Sequence, residues 1–302
     1  DVCSSDLVLG NVGIDKIYYV KKFPVIGETI LSTKEITNFG GKGFNQSIAA
    51  ARIGTKISFW TYLGADKSKN NIISTLEKEN ISTKNIFITD YKTDESIIIV
   101  NEKGDNYIIS SSSNVRSIDL NYANNMLKEI KEGDSLLLQG NLKKEITNHT
   151  IKKAYKKKVR VFLNASPITY DYLDILRYVD TLIVNETEHR QLTNHNSVNL
   201  GNKYLLETGV NNIIITKGKA GVIYISKTNT FSINSPKVNT LDSTGAGDVF
   251  CGSLVAFILK GSDYKNSCKK AIELASLSVT KFGTYLSIPN RDEIVFLNKQ
   301  TN

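Results

Sequence analysis

Residues 242–251, DSTGAGDVFC, combine a glycine-rich turn with a carboxylate. Gly245 and Gly247 flank Ala246, Asp248 follows directly, and apolar residues then recur at helical spacing. The first N–H groups of a helix have no partner within the helix, and the helix dipole makes that end positive, so it attracts an anion. A carboxylate beside such a site is electrostatically unfavourable unless it handles a proton. Asp248 is therefore a candidate base beside a phosphate-binding turn, and the alternative is a tight turn whose Asp caps the helix.

The turn does not match two well-known glycine-rich nucleotide motifs. Position 250 is Phe250 rather than glycine, so the GxGxxG pattern is absent, and no GKS or GKT follows a glycine at P-loop spacing. Neither a Rossmann dinucleotide site nor a Walker-type nucleotide site is supported.

Two polar segments near the N-terminus could hold a ligand. Residues 40–46, GGKGFNQ, place three glycines around Lys42 and end in a predicted helix start. Glycine lets the backbone approach a ligand closely, and Asn45 can both donate to and accept from hydroxyl groups. Taken alone, this segment fits a glycine-rich connector equally well. Asp15 could accept two sugar hydroxyls, although an ordinary turn residue is the simpler interpretation.

Residues 185–188, NETE, follow an apolar strand pattern and begin a helix. An N-cap Asn185 with Glu188 three residues later forms a capping box, which explains both residues. A carboxylate near phosphates can also hold Mg²⁺, usually through waters. The sequence leaves both interpretations open.

Composition narrows the class of protein. The 302 residues can bury the core of one α/β domain with an insertion or two. No apolar run approaches the roughly 18 residues that span a membrane, and no signal-peptide pattern opens the chain. Residues 1–6 are left out of the fold prediction because the chain begins with Asp rather than Met.

Cysteine, histidine and charge exclude further classes. The three cysteines, Cys3, Cys251 and Cys268, show no disulfide or metal-binding spacing, which favours a reducing cytoplasm. The three histidines, His149, His189 and His195, form no metal-like cluster, so neither a histidine-based triad nor a zinc site is expected. The net charge of +8 could serve to bind acidic substrates or nucleic acid. However, the basic residues between 152 and 160 have the spacing of a solvated helix face, so no nucleic-acid or membrane partner is expected.

Short β-branched runs alternate with amphipathic segments along the chain. This alternation predicts a mostly parallel sheet with helices on both faces. Segments 14–37 and 95–111 break the alternation and are predicted to form extra antiparallel strands over the site, the second as a pair around Gly104. The predicted strands are Asp6–Leu9, Lys56–Tyr62, Ser135–Leu138, Val159–Leu163, Thr181–Val184, Ile213–Thr216 and Gly221–Ile225. The predicted helices are 43–53, 67–80, 119–131, 144–157, 186–193, 199–208, 246–260, 264–281 and 290–299.

Ligands of open α/β sheets bind outside the carboxyl ends of the strands. Nearly every polar or glycine-rich cluster of this chain follows a predicted strand or one of the two extra segments. The clusters are therefore predicted to converge on one edge: Gly10–Asp15, Gly40–Asn45, Asn141, Asn185–Glu188, Lys217–Gly221 and Gly245–Asp248.

Together these motifs resemble ribokinase-type carbohydrate kinases of the PfkB family from about Leu7 to Pro289. GGKGFNQ resembles the N-terminal signature of that family and DSTGAGDVF its C-terminal one, with VNETE and ITKGKAG between them in the expected order. The resemblance implies a three-layer ribokinase-like α/β fold in one domain over residues 1–302. It also implies a small antiparallel β lid from 14–37 and 95–111, through which many members form homodimers.

The resemblance further implies transfer of the γ-phosphate of ATP, with Mg²⁺, to a primary hydroxyl of a small sugar. Asp248 would accept the hydroxyl proton, and the amides of Gly245, Ala246 and Gly247 would hold the transferring phosphoryl group. The other implied residues are Asp15, Gly41, Lys42, Asn45 and Asn141 for the sugar; Asn185, Thr216, Gly218 and Gly221 for the nucleotide; Glu188 for Mg²⁺ through water; and Asp242, Thr244, Ser278, Gly283 and Ser287 for a monovalent cation such as K⁺.

Departures from the ribokinase pattern lie on the sugar side and in the lid. Gly13 stands where Asn is usual, Asn141 stands where Glu is usual, and the first lid strand, 95–100, is shortened and lacks the usual Thr-Gly after Ser96. Alternative acceptors are therefore fructose, another pentose, a sugar acid or a nucleoside. A non-catalytic sugar- or nucleotide-binding protein is the alternative of a different class, and an intact Asp248 beside TGAGD argues against it.

Overall fold

The computed structural model of this chain describes residues 6–300. Cys3 and the outermost residues of the predicted 1–302 domain lie outside the described residues. Within residues 6–300, the strands are β1 (Asp6–Leu9), β2 (Gly13–Tyr19), β3 (Lys34–Gly40), β4 (Ile57–Gly64), β5 (Ile86–Thr89), β6 (Asp94–Val100), β7 (Asn106–Ser110), β8 (Ser135–Gln139), β9 (Arg160–Asn164), β10 (Thr181–Asn185), β11 (Asn212–Thr216), β12 (Val222–Ser226) and β13 (Thr230–Ile233).

The described part of the chain also contains ten α-helices. They are α1 (Lys42–Arg52), α2 (Lys69–Lys78), α3 (Ser113–Ser117), α4 (Leu120–Glu129), α5 (Lys144–Lys156), α6 (Glu186–Thr193), α7 (Val198–Glu207), α8 (Ala246–Leu259), α9 (Tyr264–Ser278) and α10 (Arg291–Gln300). None of them is long and apolar enough to cross a membrane.

Nine strands form the central sheet in the order β13-β12-β11-β10-β9-β8-β1-β4-β5. The seven strands from β11 to β5 in this order run parallel, and β12 and β13 continue the sheet in antiparallel pairing. This arrangement confirms the mostly parallel sheet predicted from the alternation of strands and helices.

The strands of this sheet are apolar along their length because both faces are covered. In β8, Leu136 and Leu138 pack into one core and Leu137 into the other. Helices α3–α7 cover the first face, and α1, α2, α8, α9 and α10 cover the second. The result is the predicted three-layer fold.

The remaining four strands form a small sheet in the order β3-β2-β6-β7. Its outer pairs are antiparallel, as predicted, whereas its central pair, β2 with β6, is parallel. The reason is that β2 follows the carboxyl end of β1 and β6 follows the carboxyl end of β5, so both strands leave the same edge of the central sheet in the same direction. The two segments that break the strand–helix alternation thus meet in one sheet at that edge.

Candidate active site

Polar residues end four neighbouring strands of the central sheet. Gln139 at the end of β8 is the register partner of Asn164 at the end of β9. Asn185 at the end of β10 is likewise the partner of Thr216 at the end of β11. The parallel register therefore places these side chains along one edge, where the N-termini of α1 and α8 also meet.

The turn before α8 is built around Gly245. This residue is the N-cap of α8 with φ of 80°, in the left-handed region that favours glycine. The Ala246 N–H donates to the Ser243 carbonyl at 3.3 Å, whereas the amides of Gly245 and Gly247 have no backbone acceptor among residues 6–300. A Cβ on Gly247 would meet no atom within 4 Å. The turn thus offers the N–H groups of Gly245 and Gly247 and open space to an anion, and the implied role of the Ala246 amide stays a prediction.

Asp248 lies one residue beyond this turn and is 6% exposed. Asn45 Nδ2 donates to its Oδ2 at 3.2 Å, and Gln46 Nε2 donates to its Oδ1 at 3.0 Å. Its side chain makes no capping hydrogen bond in α8. The interpretation of Asp248 as a helix cap is therefore wrong, because neighbouring side chains on α1 hold the carboxylate.

Lys42 places a positive charge beside this carboxylate. Its Nζ lies 3.8 Å from Asp248 Oδ1, and its side chain is 33% exposed. Burial alone would lower the pKa of the Lys42 ammonium, but the carboxylates of Asp248 and Glu188 outweigh burial, so the pKa is raised. The ammonium therefore stays charged where phosphate oxygens would approach.

Asp15 lies in β2 and is 4% exposed. Its carboxylate packs directly over Gly40, where an added Cβ would lie 1.9 Å from Oδ2. Burial raises the pKa of Asp15 to about 6, and the nearby Asp248 carboxylate adds to this effect, while the Thr284 hydroxyl opposes it. Asp15, Lys42 and Asp248 thus form one charged cluster at the base of the small sheet.

Gly13 and Asn141, two of the three departures from the ribokinase pattern, have different structural contexts. A Cβ on Gly13 would lie 2.5 Å from the Asp94 carbonyl oxygen, so the pairing of β2 with β6 leaves no room for a side chain there. Asn141 is half-buried just beyond β8, and its Oδ1 is buried without a hydrogen-bond partner among the described residues. Asn141 thus has an acceptor to offer, whereas Gly13 has none.

Asn185 and Glu188 form the predicted capping box. The Glu188 N–H donates to Asn185 Oδ1 and the Asn185 N–H donates to Glu188 Oε2, both at 2.8 Å. Within residues 6–300 no three His, Cys, Asp or Glu side chains group as a metal cage. The capping role is present, and a Mg²⁺ ion here would need phosphate oxygens and waters as its other ligands, which suits this metal.

The loop after β11 carries the residues implied for the nucleotide. Thr216 is half-buried at the strand end, Gly218 is exposed with φ of 52°, and Gly221 is buried with φ of 104°. A Cβ on Gly218 would meet no atom within 4 Å, so the space beside this residue is open. Lys217 pairs with Glu186 at 3.5 Å beside this loop.

Asp242 organises the segment implied for a monovalent cation. Its Oδ2 accepts from Tyr19 Oη at 2.6 Å and from the Gly283 N–H at 3.0 Å, and its Oδ1 accepts from the Thr244 N–H at 2.9 Å. The hydroxyls of Ser278 and Ser287 donate to nearby backbone carbonyls. Because the Asp242 carboxylate already accepts three hydrogen bonds, the predicted monovalent cation would have to use backbone carbonyls of this segment, and this site stays a prediction.

Sequence reasoning missed several residues that position the site. Gln46 contacts Asp248 but was assigned no role, although its place four residues after Lys42 puts both on one face of α1. Tyr19 and Asn106 were missed as well, and the latter donates to Ser243 Oγ at 3.3 Å and ties the small sheet to the turn before α8. No local signal indicates these two, because their partners lie far away in the sequence.

Comparison with known proteins decides the family. A family model described as pfkB family carbohydrate kinase matches residues 5–291. The chain belongs to the pfkB family of carbohydrate kinases. It is similar to the ribokinase of Dictyostelium discoideum, with 32% identity over a region that covers 95% of this chain and 98% of that protein. It is also similar to the deoxyribokinase of Salmonella typhi, with 28% identity covering 95% and 96% of the two chains.

Among solved structures, the fold is similar to that of ribokinase from Thermotoga maritima. The TM-score is 0.85 at 28% identity, covering 98% of this chain and 99% of that one. These findings confirm the ribokinase-like fold class, and they confirm the prediction that this pfkB-family member is an ATP-dependent sugar kinase.

Proposed function

We propose that this pfkB-family kinase transfers the γ-phosphate of ATP to a primary hydroxyl of a small sugar, with Asp248 as the general base. The observation that carries the proposal is the placement of the Asp248 carboxylate. It lies at the start of α8, held by Asn45 and Gln46, directly after the open turn at Gly245 and Gly247. This arrangement puts a proton acceptor next to a site for an anion.

The chemistry requires mainly positioning and charge stabilisation, because phosphoryl transfer has a loose transition state. An alcohol is a weak acid, and its proton needs an acceptor as the new bond to phosphorus forms. A carboxylate within hydrogen-bond reach suffices. The free amides of Gly245 and Gly247 and the Lys42 ammonium would meet the negative charge on the transferred group.

We assign Asn185, Thr216, Gly218 and Gly221 to the nucleotide, because they follow adjacent strands β10 and β11 at the same edge. Glu188 would hold Mg²⁺ through water while one carboxylate oxygen keeps the capping bond. Such an ion neutralises charge on the phosphate oxygens. The backbone around Asp242, Thr244, Ser278, Gly283 and Ser287 is assigned to a monovalent cation such as K⁺.

For the acceptor, we propose a free pentose of the ribose or deoxyribose type, bound by Asp15, Gly41, Lys42, Asn45 and Asn141. The similar proteins from Dictyostelium discoideum and Salmonella typhi support this class. The Asn45 Oδ1 and Asn141 Oδ1 atoms are both buried without a hydrogen-bond partner in the described chain, so each can accept from a sugar hydroxyl.

The small sheet would serve as the lid of one kinase domain, since it rises from the edge where the sugar residues lie. Its other face exposes Ile97, Tyr107 and Ile109, which are 47%, 63% and 71% exposed. A second copy of the chain would cover this apolar face, and we therefore propose a homodimer through the lid.

The cytoplasmic location predicted from the cysteine pattern stays a prediction.

The test is ATP consumption across a panel of pentoses, fructose, sugar acids and nucleosides, with and without K⁺. We expect turnover with a pentose and a higher rate with K⁺. Strong preference for a nucleoside or fructose would contradict the acceptor class. Binding of sugars without turnover would instead favour the non-catalytic alternative.

A further inference from the structure

Four buried polar side chains from four different elements form one hydrogen-bond network beneath the site. Gln139 Nε2 at the end of β8 donates to Gln46 Oε1 on α1 at 2.9 Å. Gln46 Nε2 then donates to Asn164 Oδ1 and to Asp248 Oδ1, each at 3.0 Å. Gln139 and Gln46 are both 0% exposed, so the hydrogen bond between them is shielded from water.

The directions of the hydrogen bonds around Gln46 are set by the two acceptors of its Nε2, Asn164 Oδ1 and Asp248 Oδ1. Asn164 Nδ2 donates to the Ile183 carbonyl at 3.1 Å, which leaves Asn164 Oδ1 facing Gln46 as an acceptor. Gln139 presents its amide nitrogen to Gln46 from the other side. The Gln46 amide therefore has one favourable orientation, with its oxygen toward Gln139 and its nitrogen toward Asp248, because the reverse would face oxygen against oxygen.

We infer that Gln46 is a positioning residue for the reaction, which fixes the carboxylate plane of Asp248, and that Gln139 supports Gln46 by donating to its Oε1. The inference rests on the proposed role of Asp248 as the base. Gln46 acts only through Asp248, since its own side chain has no exposed surface with which to touch a substrate. Its removal therefore affects turnover much more than substrate binding, because small displacements of a catalytic group cost about 100-fold in rate.

The main variant is Gln46→Met, which keeps the unbranched shape and removes both polar atoms. We expect kcat to fall by about 10- to 100-fold, while the KM values for ATP and sugar stay within about threefold. Gln46→Glu keeps the acceptor for Gln139 but puts an oxygen toward Asp248, and it should lose at least as much activity. Ser47→Ala is the matched control, since Ser47 is also 0% exposed on α1 and its Oγ has no hydrogen-bond partner in the described chain.

The role of Gln139 is tested by a double-variant comparison. Gln139→Met leaves Gln46 Oε1 without its donor, while Asn164 and Asp248 still set the orientation of the Gln46 amide. We therefore expect a smaller loss in kcat, on the order of threefold to tenfold. The double variant with Gln46→Met and Gln139→Met should have the same kcat as Gln46→Met alone, because Gln139 acts only through Gln46. The stoichiometry of ATP binding shows how much of each variant is folded, so kcat refers to folded enzyme only.

Three results would overturn the inference: kcat of Gln46→Met within twofold of the unchanged chain, an equal loss in Ser47→Ala, or losses of Gln46→Met and Gln139→Met that multiply. Asp248→Asn separates this failure from that of the proposed base. An inactive Asp248→Asn with an active Gln46→Met rejects the positioning role alone, whereas an active Asp248→Asn rejects the base itself.

Discussion

We expect sugar binding to depend on pH, because Asp15 is a proposed acceptor for the sugar hydroxyls. Burial raises the pKa of its carboxyl group to about 6, with a further contribution from the Asp248 carboxylate and opposing contributions from Thr284, Ser96 and Lys42. A carboxyl group with a raised pKa is protonated below that value, so the charged acceptor for sugar hydroxyls is lost as the pH falls through about 6. At pH 5 only about one molecule in eleven keeps the charge, and KM for the sugar should therefore be about tenfold higher than at pH 8.

The variant Asp15→Asn removes the titration while keeping the size of the side chain. A hydrogen bond to a charged acceptor contributes about 1.5–3 kcal/mol, which corresponds to a rise in KM of roughly 10- to 100-fold. This higher KM should no longer change between pH 5 and pH 8. The assay is initial velocity against sugar concentration at saturating ATP, with KM for ATP as the control. If KM for the sugar does not change with pH in the unchanged chain, or changes in the same way in Asp15→Asn, the Asp15 carboxylate does not cause the pH dependence.

Two further predictions concern the sugar and the metal. Asn141→Glu should raise kcat/KM for ribose relative to other sugars by about tenfold, because a carboxylate accepts a stronger hydrogen bond than an amide; an unchanged substrate ranking would remove Asn141 as a specificity residue. Glu188→Gln should raise the Mg²⁺ concentration for half-maximal activity by about tenfold without lowering the thermal stability, because Gln also serves in a capping box. An unchanged Mg²⁺ requirement would leave Glu188 with its capping role only.

Most of the central sheet follows from local patterns. The runs SLLL (135–138), TLIV (181–184) and IIIT (213–216) predict strands because they are mostly apolar at consecutive positions, and all of these residues are buried except the half-buried Thr216. The edge strands β5 and β13 were missed, since each has four residues and about half of their side chains are exposed. Such short strands form because a neighbour supplies the hydrogen bonds, and this information does not lie within the segment itself.

The pairing of the small sheet was only partly predictable. The hairpin of β6 and β7 follows from its turn at Gly104, which has φ of 77°. The parallel pair of β2 and β6 joins segments that are distant in the sequence, and it depends on where β1 and β5 end in the central sheet. Local periodicity contains no signal for such a pairing.

The site residues likewise fall into those that local sequence features indicate and those that depend on distant partners. Asp248 could be found from its glycine turn, and Asp15 and Lys42 from their motifs, because these features are local. The role of Gln46 depends on Gln139 and Asp248, which reach it from other elements. The hint in the sequence is the position of Gln46 four residues after Lys42 in α1, and its burial shows that the side chain requires partners.

The central claim is that Asp248 removes the proton from the sugar hydroxyl. Its most direct test is kcat of Asp248→Asn at saturating ATP and sugar, together with calorimetric ATP binding. The matched control is Asp263→Asn, because Asp263 is the N-cap of α9 and Asn caps a helix equally well. We expect kcat of Asp248→Asn to fall by about 100- to 10,000-fold, with ATP affinity within about threefold and the control fully active. An Asp248→Asn protein whose kcat stays within tenfold of the unchanged chain would contradict the assignment.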